Sequence, residues 1–184
     1  YITIPEFKCC GAPVLNNGYK KDFEELKADN YRLFKKYGVK KIITNCPSCM
    51  YYFAKEYGLK VEHISQTIMK NSAKIKKRFD SDIMTYLDPC NLGRKLGIYD
   101  EPRKAMELLG IEVEEMPANK DKALCCGALM KDNYPKKADM AAKILLNECK
   151  TGIIVSPCAS CYEHLKKNAV GVKVLEFGEL FDES

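Results

Sequence analysis

The sequence lacks any apolar run that could cross a membrane, and it lacks the features of a secretory leader. A membrane-spanning helix needs about 20 consecutive apolar residues, whereas the apolar segments here are short and interrupted by charges. The first residues, YITIPEF, have neither the basic nor the apolar block of a signal peptide. We therefore expect a cytoplasmic protein that does not itself span a membrane, although it can lie at the periphery of a membrane complex.

The sequence also lacks a strong excess of charge of one sign. Lys and Arg number 30 against 25 Asp and Glu, and the two signs alternate along the whole chain. Nucleic-acid binding usually depends on a concentrated basic patch, so we expect no nucleic-acid partner. The apolar share of 46% is that of a folded globular protein.

Cysteine, by contrast, is abundant, with ten residues in 184. Thiols in the cytoplasm are kept reduced, and a domain of this size does not depend on disulfides for stability. The composition therefore favours metal binding over a disulfide framework.

Two cysteine motifs occur twice. FKCCGAPV at 7–14 matches ALCCGALM at 123–130, and KKIITNCPSCMYYF at 40–53 matches TGIIVSPCASCYEHL at 151–165. The shift is 116 residues for the first pair (125 minus 9) and 112 for the second (158 minus 46). A nearly constant shift indicates one unit used twice, and we place the two units at 1–78 and 79–184.

The second unit has a front part, from Asp82 to Pro117, that has no counterpart in the first. We expect a complete first unit to carry another ~35 residues and a further cysteine ahead of Tyr1. The chain also starts without Met, as a fragment or a processed product would.

Short β-branched runs alternate with amphipathic segments. The predicted strands are 41–45, 83–87, 111–116, 152–156 and 172–177, and the predicted helices are 22–37, 102–109, 135–149 and 160–168. This alternation predicts an α/β fold of Rossmann-like βαβ units with mostly parallel sheets.

In the second unit five cysteines are candidate ligands: Cys90, Cys125, Cys126, Cys158 and Cys161. Cys46, Cys90 and Cys158 each follow a predicted strand, where the loops of an α/β sheet gather. Cys49 and Cys161 are expected in the first turn of the next helix. All the motif cysteines can therefore converge on one edge. Four thiolates suffice for zinc or a simple iron–sulfur cube. Because a fifth is present and two are adjacent, the pattern favours a polynuclear iron–sulfur site.

The first unit offers four candidate ligands: Cys9, Cys10, Cys46 and Cys49. This set can bind zinc as it stands, and the alternative is an iron–sulfur cluster for which the predicted upstream cysteine would be a further ligand. The glycine after each cysteine pair would allow a sharp turn and bring amide groups near sulfur.

Four residues outside this pattern need separate interpretations. Cys149 shares a helix stripe with alanines and Leu145, so we expect a core thiol. His164 is expected at the surface or behind the ligands, and His63 is a weaker candidate still. Arg94 can donate hydrogen bonds to a cluster or a bound thiolate, or can be a solvated helix residue.

The order C…CCG…C-x2-C, used twice, resembles the cysteine-rich CCG domain of heterodisulfide reductase catalytic subunits. IPEFKCCGAPV, TNCPSCMYYF, YLDPCNLGR and SPCASCYEHL are the matching segments. The same domain occurs in iron–sulfur subunits of glycolate, lactate, glycerol-3-phosphate and certain succinate or fumarate oxidoreductases.

The resemblance implies a non-cubane [4Fe-4S] cluster on the five cysteines of the second unit, and an iron–sulfur cluster or zinc on the four of the first. It implies an oxidoreductase subunit that receives electrons from flavin- or ferredoxin-type donor subunits and cleaves a disulfide substrate. The alternatives are a non-catalytic electron-transfer subunit of a dehydrogenase and a structural zinc-binding module.

Overall fold

The computed structural model describes residues 2–181, which form seven helices and six strands within that range. The helices are α1 (Ala12–Asn16), α2 (Lys20–Lys36), α3 (Pro47–Lys55), α4 (Ile64–Lys70), α5 (Asp100–Leu108), α6 (Pro135–Glu148) and α7 (Ala159–Asn168). The strands are β1 (Ile42–Thr44), β2 (Val61–His63), β3 (Ile83–Tyr86), β4 (Glu112–Glu115), β5 (Ile153–Ser156) and β6 (Lys173–Glu176). Among these helices none combines the length and the apolar character needed to cross a bilayer.

All strand pairs are parallel, and they form two sheets. The smaller sheet pairs β1 with β2, and the larger has the strand order β4-β3-β5-β6. The predicted α/β class with parallel sheets is confirmed, as are the five predicted strands. Strand β2 was not predicted, because Val-Glu-His is too short to show an alternating pattern.

The larger sheet carries an apolar cluster on each face. On one face, Ile154 and Val174 pack with Leu145 of α6 and Leu165 of α7. On the other face, Met84, Tyr86 and Val155 pack with residues of α5. The sheet is thus covered by helices on both sides, as parallel sheets normally are.

The first half of the chain has its own core, which is largely aromatic. Phe23 and Phe34 of α2 meet Phe53 and Tyr57, the residues of α3 and of the turn after it. Asn30 Nδ2 donates to the hydroxyl of Tyr57 at 2.9 Å and to Cys9 O at 2.9 Å. These two bonds connect the aromatic core to the first cysteine pair.

The two halves share one topology around their cysteines. In each, a strand (β1 or β5) ends two residues before a C-x2-C motif, a helix follows, and a parallel strand (β2 or β6) returns beside the first. The ends of the returning strands match in detail. His63 N is bonded to the Gln66 side chain and its own side chain accepts from Ser65 N, and Glu176 makes the same two bonds with Glu179 and Gly178 N.

The two halves are also packed against each other. Ile64, Ile68 and Met69 of α4 pack against the cluster beneath α5. Arg78 Nη1 donates to Leu180 O at 3.1 Å. The division into units at 78/79 remains a prediction.

Candidate metal centre

The two C-x2-C motifs occupy equivalent positions at the start of a helix. Cys46 is the N-cap of α3 and Cys158 the N-cap of α7, both with extended backbone, while Cys49 and Cys161 lie in the first turns. Exposed amide groups and the helix dipole at this position favour a thiolate over a thiol. The predicted placement of these four cysteines is confirmed.

The two Cys-Cys-Gly segments form the same turn. Gly11 has φ 85° and Gly127 has φ 86°, a left-handed conformation that favours glycine. Gly11 N donates to Cys9 Sγ at 3.3 Å, and Gly127 N donates to Cys125 Sγ at 3.4 Å. The glycine thus turns the chain and directs its amide at the first thiol of each pair.

The five cysteines of the second half lie next to one another. Cys126 Sγ and Cys161 Sγ are 3.1 Å apart. Cys90 interacts with Cys125, and Cys161 with Cys158. Residues far apart in sequence therefore come together at the carboxyl ends of β3 and β5.

The four cysteines of the first half continue this arrangement. Cys9 interacts with Cys10, Cys10 with Cys49, and Cys49 with Cys46. Cys46 in turn interacts with Cys158, its counterpart in the other copy. The order of contact in what we call the thiol row is Cys90, Cys125, Cys126, Cys161, Cys158, Cys46, Cys49, Cys10, Cys9.

Because the thiols of the row interact with one another, the pKa values of some are lowered and those of others are raised. The Cys158 thiol lowers the pKa of Cys46 to about 2, the Cys126 thiol that of Cys125 to about 2, and the Cys49 thiol that of Cys10 to about 4. Cys125 raises the pKa of Cys126 to about 11. Neighbouring thiols in the first place, and burial in the second, also raise the pKa values of Cys9, Cys49, Cys90 and Cys161.

The remaining thiol of the row, Cys158, is affected by its neighbours in both directions. Cys161 lowers its pKa, but Cys46 and burial outweigh that effect and raise it. Like charges this close disfavour ionisation of both partners, so the whole row can be thiolate only around a positively charged centre.

All ten cysteines are free thiols, and the nine in the row differ in their exposure to water. Cys10, Cys126, Cys158 and Cys161 are buried, whereas Cys125 is exposed. Within residues 2–181, no three Cys, His, Asp or Glu side chains are arranged to hold a single metal ion. The thiols lie in a row, so their side chains would have to rotate in order to surround a bound group.

Arg94 lies beside the second cysteine pair but donates to the backbone. Its Nη1 is 2.5 Å from Ala123 O, just ahead of Cys125. Its positive charge is a lesser cause that lowers the pKa of both Cys90 and Cys125. The Arg94 side chain therefore holds the backbone ahead of the CCG segment, and its charge favours the thiolates of Cys90 and Cys125 without a direct hydrogen bond to them.

A buried ion-pair network that the sequence analysis missed holds the Cys90 loop. Arg103 donates to both carboxylate oxygens of Asp88 at 2.9 and 2.7 Å, and to both oxygens of Glu115 at 2.6 and 2.7 Å. Lys120 N donates to Asp88 as well. Asp88 is two residues before Cys90, so the network fixes the entry to that loop.

Both histidines are buried, so of the two positions expected for His164, at the surface or behind the ligands, the surface position is wrong. His164 Nε2 donates to Ala138 O at 3.0 Å, inside the packing of α6 against α7. His63 is fully buried, and desolvation lowers its pKa to about 4. Its Nε2 is 3.1 Å from Pro157 O.

Cys149 lies outside the thiol row. It ends α6, packs against the apolar cluster of the larger sheet, and its Sγ is 3.5 Å from Thr85 Oγ1. The expected packing role is confirmed. Only the other nine cysteines are brought together.

The donor set suits an iron–sulfur group better than a single hard cation. Thiolates are soft ligands that select iron–sulfur clusters and zinc. Next to the row, the hydroxyl of Ser156 is fully buried and has no hydrogen-bond partner among the described residues. A buried hydroxyl without a partner two residues before Cys158 is a donor available to a bound sulfur.

The family model for the cysteine-rich domain, CCG, matches residues 2–54 and 84–166. The chain belongs to this family. The two matched segments contain all nine cysteines of the thiol row, and the family assignment made from the sequence motifs is confirmed.

Curated relatives cover nearly the whole chain. It is 29% identical to the EtfAB:quinone oxidoreductase of Syntrophomonas wolfei over 99% of the chain, and 30% identical to a fumarate reductase (CoM/CoB) subunit of Methanothermobacter marburgensis over 98%. It is 27% identical to a dihydromethanophenazine:CoB–CoM heterodisulfide reductase subunit of Methanosarcina mazei over 90%. The chain spans only 28%, 40% and 46% of these proteins.

Proposed function

We propose that the chain is the cluster-binding part of an iron–sulfur oxidoreductase subunit of the heterodisulfide reductase type. The observation that carries this proposal is the thiol row, in which nine free thiols from both halves of the chain each interact with the next. The relatives, which are oxidoreductases or oxidoreductase subunits by name, support a redox role.

Cys90, Cys125, Cys126, Cys158 and Cys161 would hold a non-cubane [4Fe-4S] cluster, and Cys9, Cys10, Cys46 and Cys49 a second cluster or zinc. When bound, such a cluster supplies one-electron transfer and an iron that can hold a thiolate. The chain contributes soft ligands, amide donors from Gly11 and Gly127, and a partly buried environment.

The reaction would be the reductive cleavage of a disulfide. Two electrons and two protons convert one S–S bond into two thiols, and the electrons come from a flavin- or ferredoxin-type donor subunit. Cys125 is the exposed thiol of the row, so we place the approach of the substrate there. Such a protein would work in the cytoplasm or at the periphery of a membrane complex.

A second candidate is electron transfer without a substrate, between a dehydrogenase and another partner. Two surface cavities of about 550 and 430 Å³ have no cysteine in their lining. Neither of them therefore offers a substrate pocket beside the thiols, which is the observation that favours this candidate.

The test is a count of iron, sulfide and zinc on the protein purified without oxygen, followed by electron paramagnetic resonance. We expect iron and sulfide at about four or more per chain, and a new paramagnetic signal when a thiol product is added under oxidising conditions. Iron and sulfide without that signal would select electron transfer. Two zinc atoms with negligible iron and sulfide would overturn both candidates and select a structural zinc module.

A further inference from the structure

The two cysteine groups are joined by a hydrogen bond from β2 to the loop ahead of α7. His63 Nε2 lies 3.1 Å from Pro157 O, and because a carbonyl only accepts, Nε2 carries the proton. The other ring nitrogen, Nδ1, is then an acceptor, with Ser65 Oγ at 2.8 Å and Ser65 N at 3.3 Å. One imidazole thus caps α4 and holds the backbone immediately before Cys158.

A second hydrogen bond crosses in the opposite direction. Asn91 follows Cys90, and its Nδ2 donates to Ser48 Oγ at 2.6 Å. Ser48 lies between Cys46 and Cys49, and both partners are buried. This hydrogen bond therefore connects the loop after Cys90, in the second half, to the segment between Cys46 and Cys49, in the first half.

We propose that His63 and Asn91 are positioning residues that fix the separation of the two cysteine groups where Cys46 meets Cys158. The two halves also meet through the packing of α4, through Arg78 and Leu180, and through Asn45 Nδ2, which is 3.3 Å from Glu176 Oε1 in an exposed hydrogen bond. The two bonds described above differ in being buried, and each one holds a loop that carries a candidate ligand. The consequence for electron passage rests on the proposed function, but the positioning itself does not require iron.

The chain offers matched variants for each bond. Ser48→Ala removes the acceptor of Asn91, and Ser160→Ala removes the serine at the same place in the other C-x2-C motif, for which no side-chain hydrogen bond is found among residues 2–181. His63→Asn keeps a short side-chain oxygen as the cap of α4 and loses the reach to Pro157. His63→Gln keeps a nitrogen at the reach of Nε2 and loses the cap.

The experiment is amide hydrogen exchange on the protein as purified, read at backbone bonds across the junction. Tyr162 N, bonded to Cys158 O at 2.9 Å, reports on the His63 bond, and Gly93 N, bonded to Pro89 O at 3.0 Å, reports on the Ser48 bond. Loss of one hydrogen bond is expected to speed local exchange about fivefold. Ala138 N, bonded to Tyr134 O at 3.0 Å in α6, is the control amide.

We expect His63→Asn to speed exchange at Tyr162 and His63→Gln to restore the native rate, and Ser48→Ala but not Ser160→Ala to speed exchange at Gly93. Equal rates in all variants would overturn the proposal. So would acceleration that includes Ala138, because that result means general destabilisation.

The magnetic interaction between the two bound groups, measured on the metal-loaded protein, separates this inference from the proposed function. If two iron–sulfur groups are present, Ser48→Ala should reduce the magnetic interaction between them without changing the iron count. If the protein holds zinc, the exchange results stand and only the proposed function fails. An unchanged magnetic interaction together with accelerated exchange at Gly93 would limit the role of Asn91 to stability and overturn the positioning role.

Discussion

Asn133 Nδ2 donates a 2.9 Å hydrogen bond to Asn17 Oδ1, and the two asparagines occupy the same place in the two copies of the repeat, 116 residues apart (133 minus 17). Cys46 and Cys158 are another equivalent pair in contact. When residues of two copies meet their own counterparts, the copies are related by a local two-fold axis. The thiol row crosses that axis between Cys46 and Cys158.

Gly127→Ala is expected to lower the free energy of unfolding by at least about 2 kcal/mol. Its φ is 86°, and an added Cβ would lie 2.8 Å from Ala138 O. Gly171→Ala is the matched control, because φ is 74° but nothing lies within 4 Å of the added Cβ, so a loss of about 1 kcal/mol is expected. Urea denaturation of the purified protein measures both, and equal losses would show that the contact with Ala138 is not limiting.

Arg103→Met is expected to cost about 3–5 kcal/mol, because it leaves the buried Asp88 carboxylate without its cation. Glu115→Gln should cost about 1 kcal/mol or less, since the Glu115 side chain is 37% exposed and Arg103 keeps Asp88. Chemical denaturation gives both values. A small loss for Arg103→Met would mean that Lys120 N alone satisfies Asp88.

Cys149→Ser should leave the metal content of the purified protein unchanged, because this thiol packs in the core outside the thiol row. Cys126→Ser, at the 3.1 Å contact with Cys161, should lower it. Metal analysis after anaerobic purification compares the two variants. A loss of metal in Cys149→Ser would contradict the assignment of ligands.

His63 should make stability depend on pH below neutrality. Its pKa is lowered from 6.5 to about 4 by burial, so between these values the unfolded chain binds a proton that the folded protein does not. The free energy of unfolding should therefore fall as the pH drops from about 6.5 to 4, by up to about 3 kcal/mol. Above pH 6.5 this residue has no effect.

Urea denaturation at pH 7, 6 and 5, compared between the native protein and His63→Gln, isolates this contribution. The native protein should lose more stability than the variant across that range. Parallel curves would show that folding does not lower the pKa of His63.

Local patterns carried the prediction of the elements and of the ligand loops. Five strands and four helices were found from periodicity, and the cysteines that follow β1, β3 and β5 were placed correctly because strand ends and helix starts are encoded by neighbouring residues. β2, α1 and α4 were not predicted because their segments are short, and no range was predicted for α3. The division at 78/79 and the bound group remain predictions.

Buried polar residues escaped for a different reason. Ser48 and Asn91, or Asp88 and Arg103, look like ordinary polar residues in the sequence, since a hydrogen-bond partner 43 or 15 residues away leaves no local signal. The one available clue was the repeat itself. Aligning β2 with β6 places His63 opposite Glu176, where a cap on the following turn recurs.

The sequence alone indicated which side chains are candidate metal ligands, how they are grouped along the chain, and that the same unit occurs twice. These properties reside in residue chemistry and in short spacings. Only the tertiary structure decided that the two groups form one continuous thiol row, with Cys46 against Cys158 and His63 against Pro157. Those contacts depend on how the two sheets pack against each other. That packing is set by the shapes of whole surfaces, which no short stretch of the chain encodes.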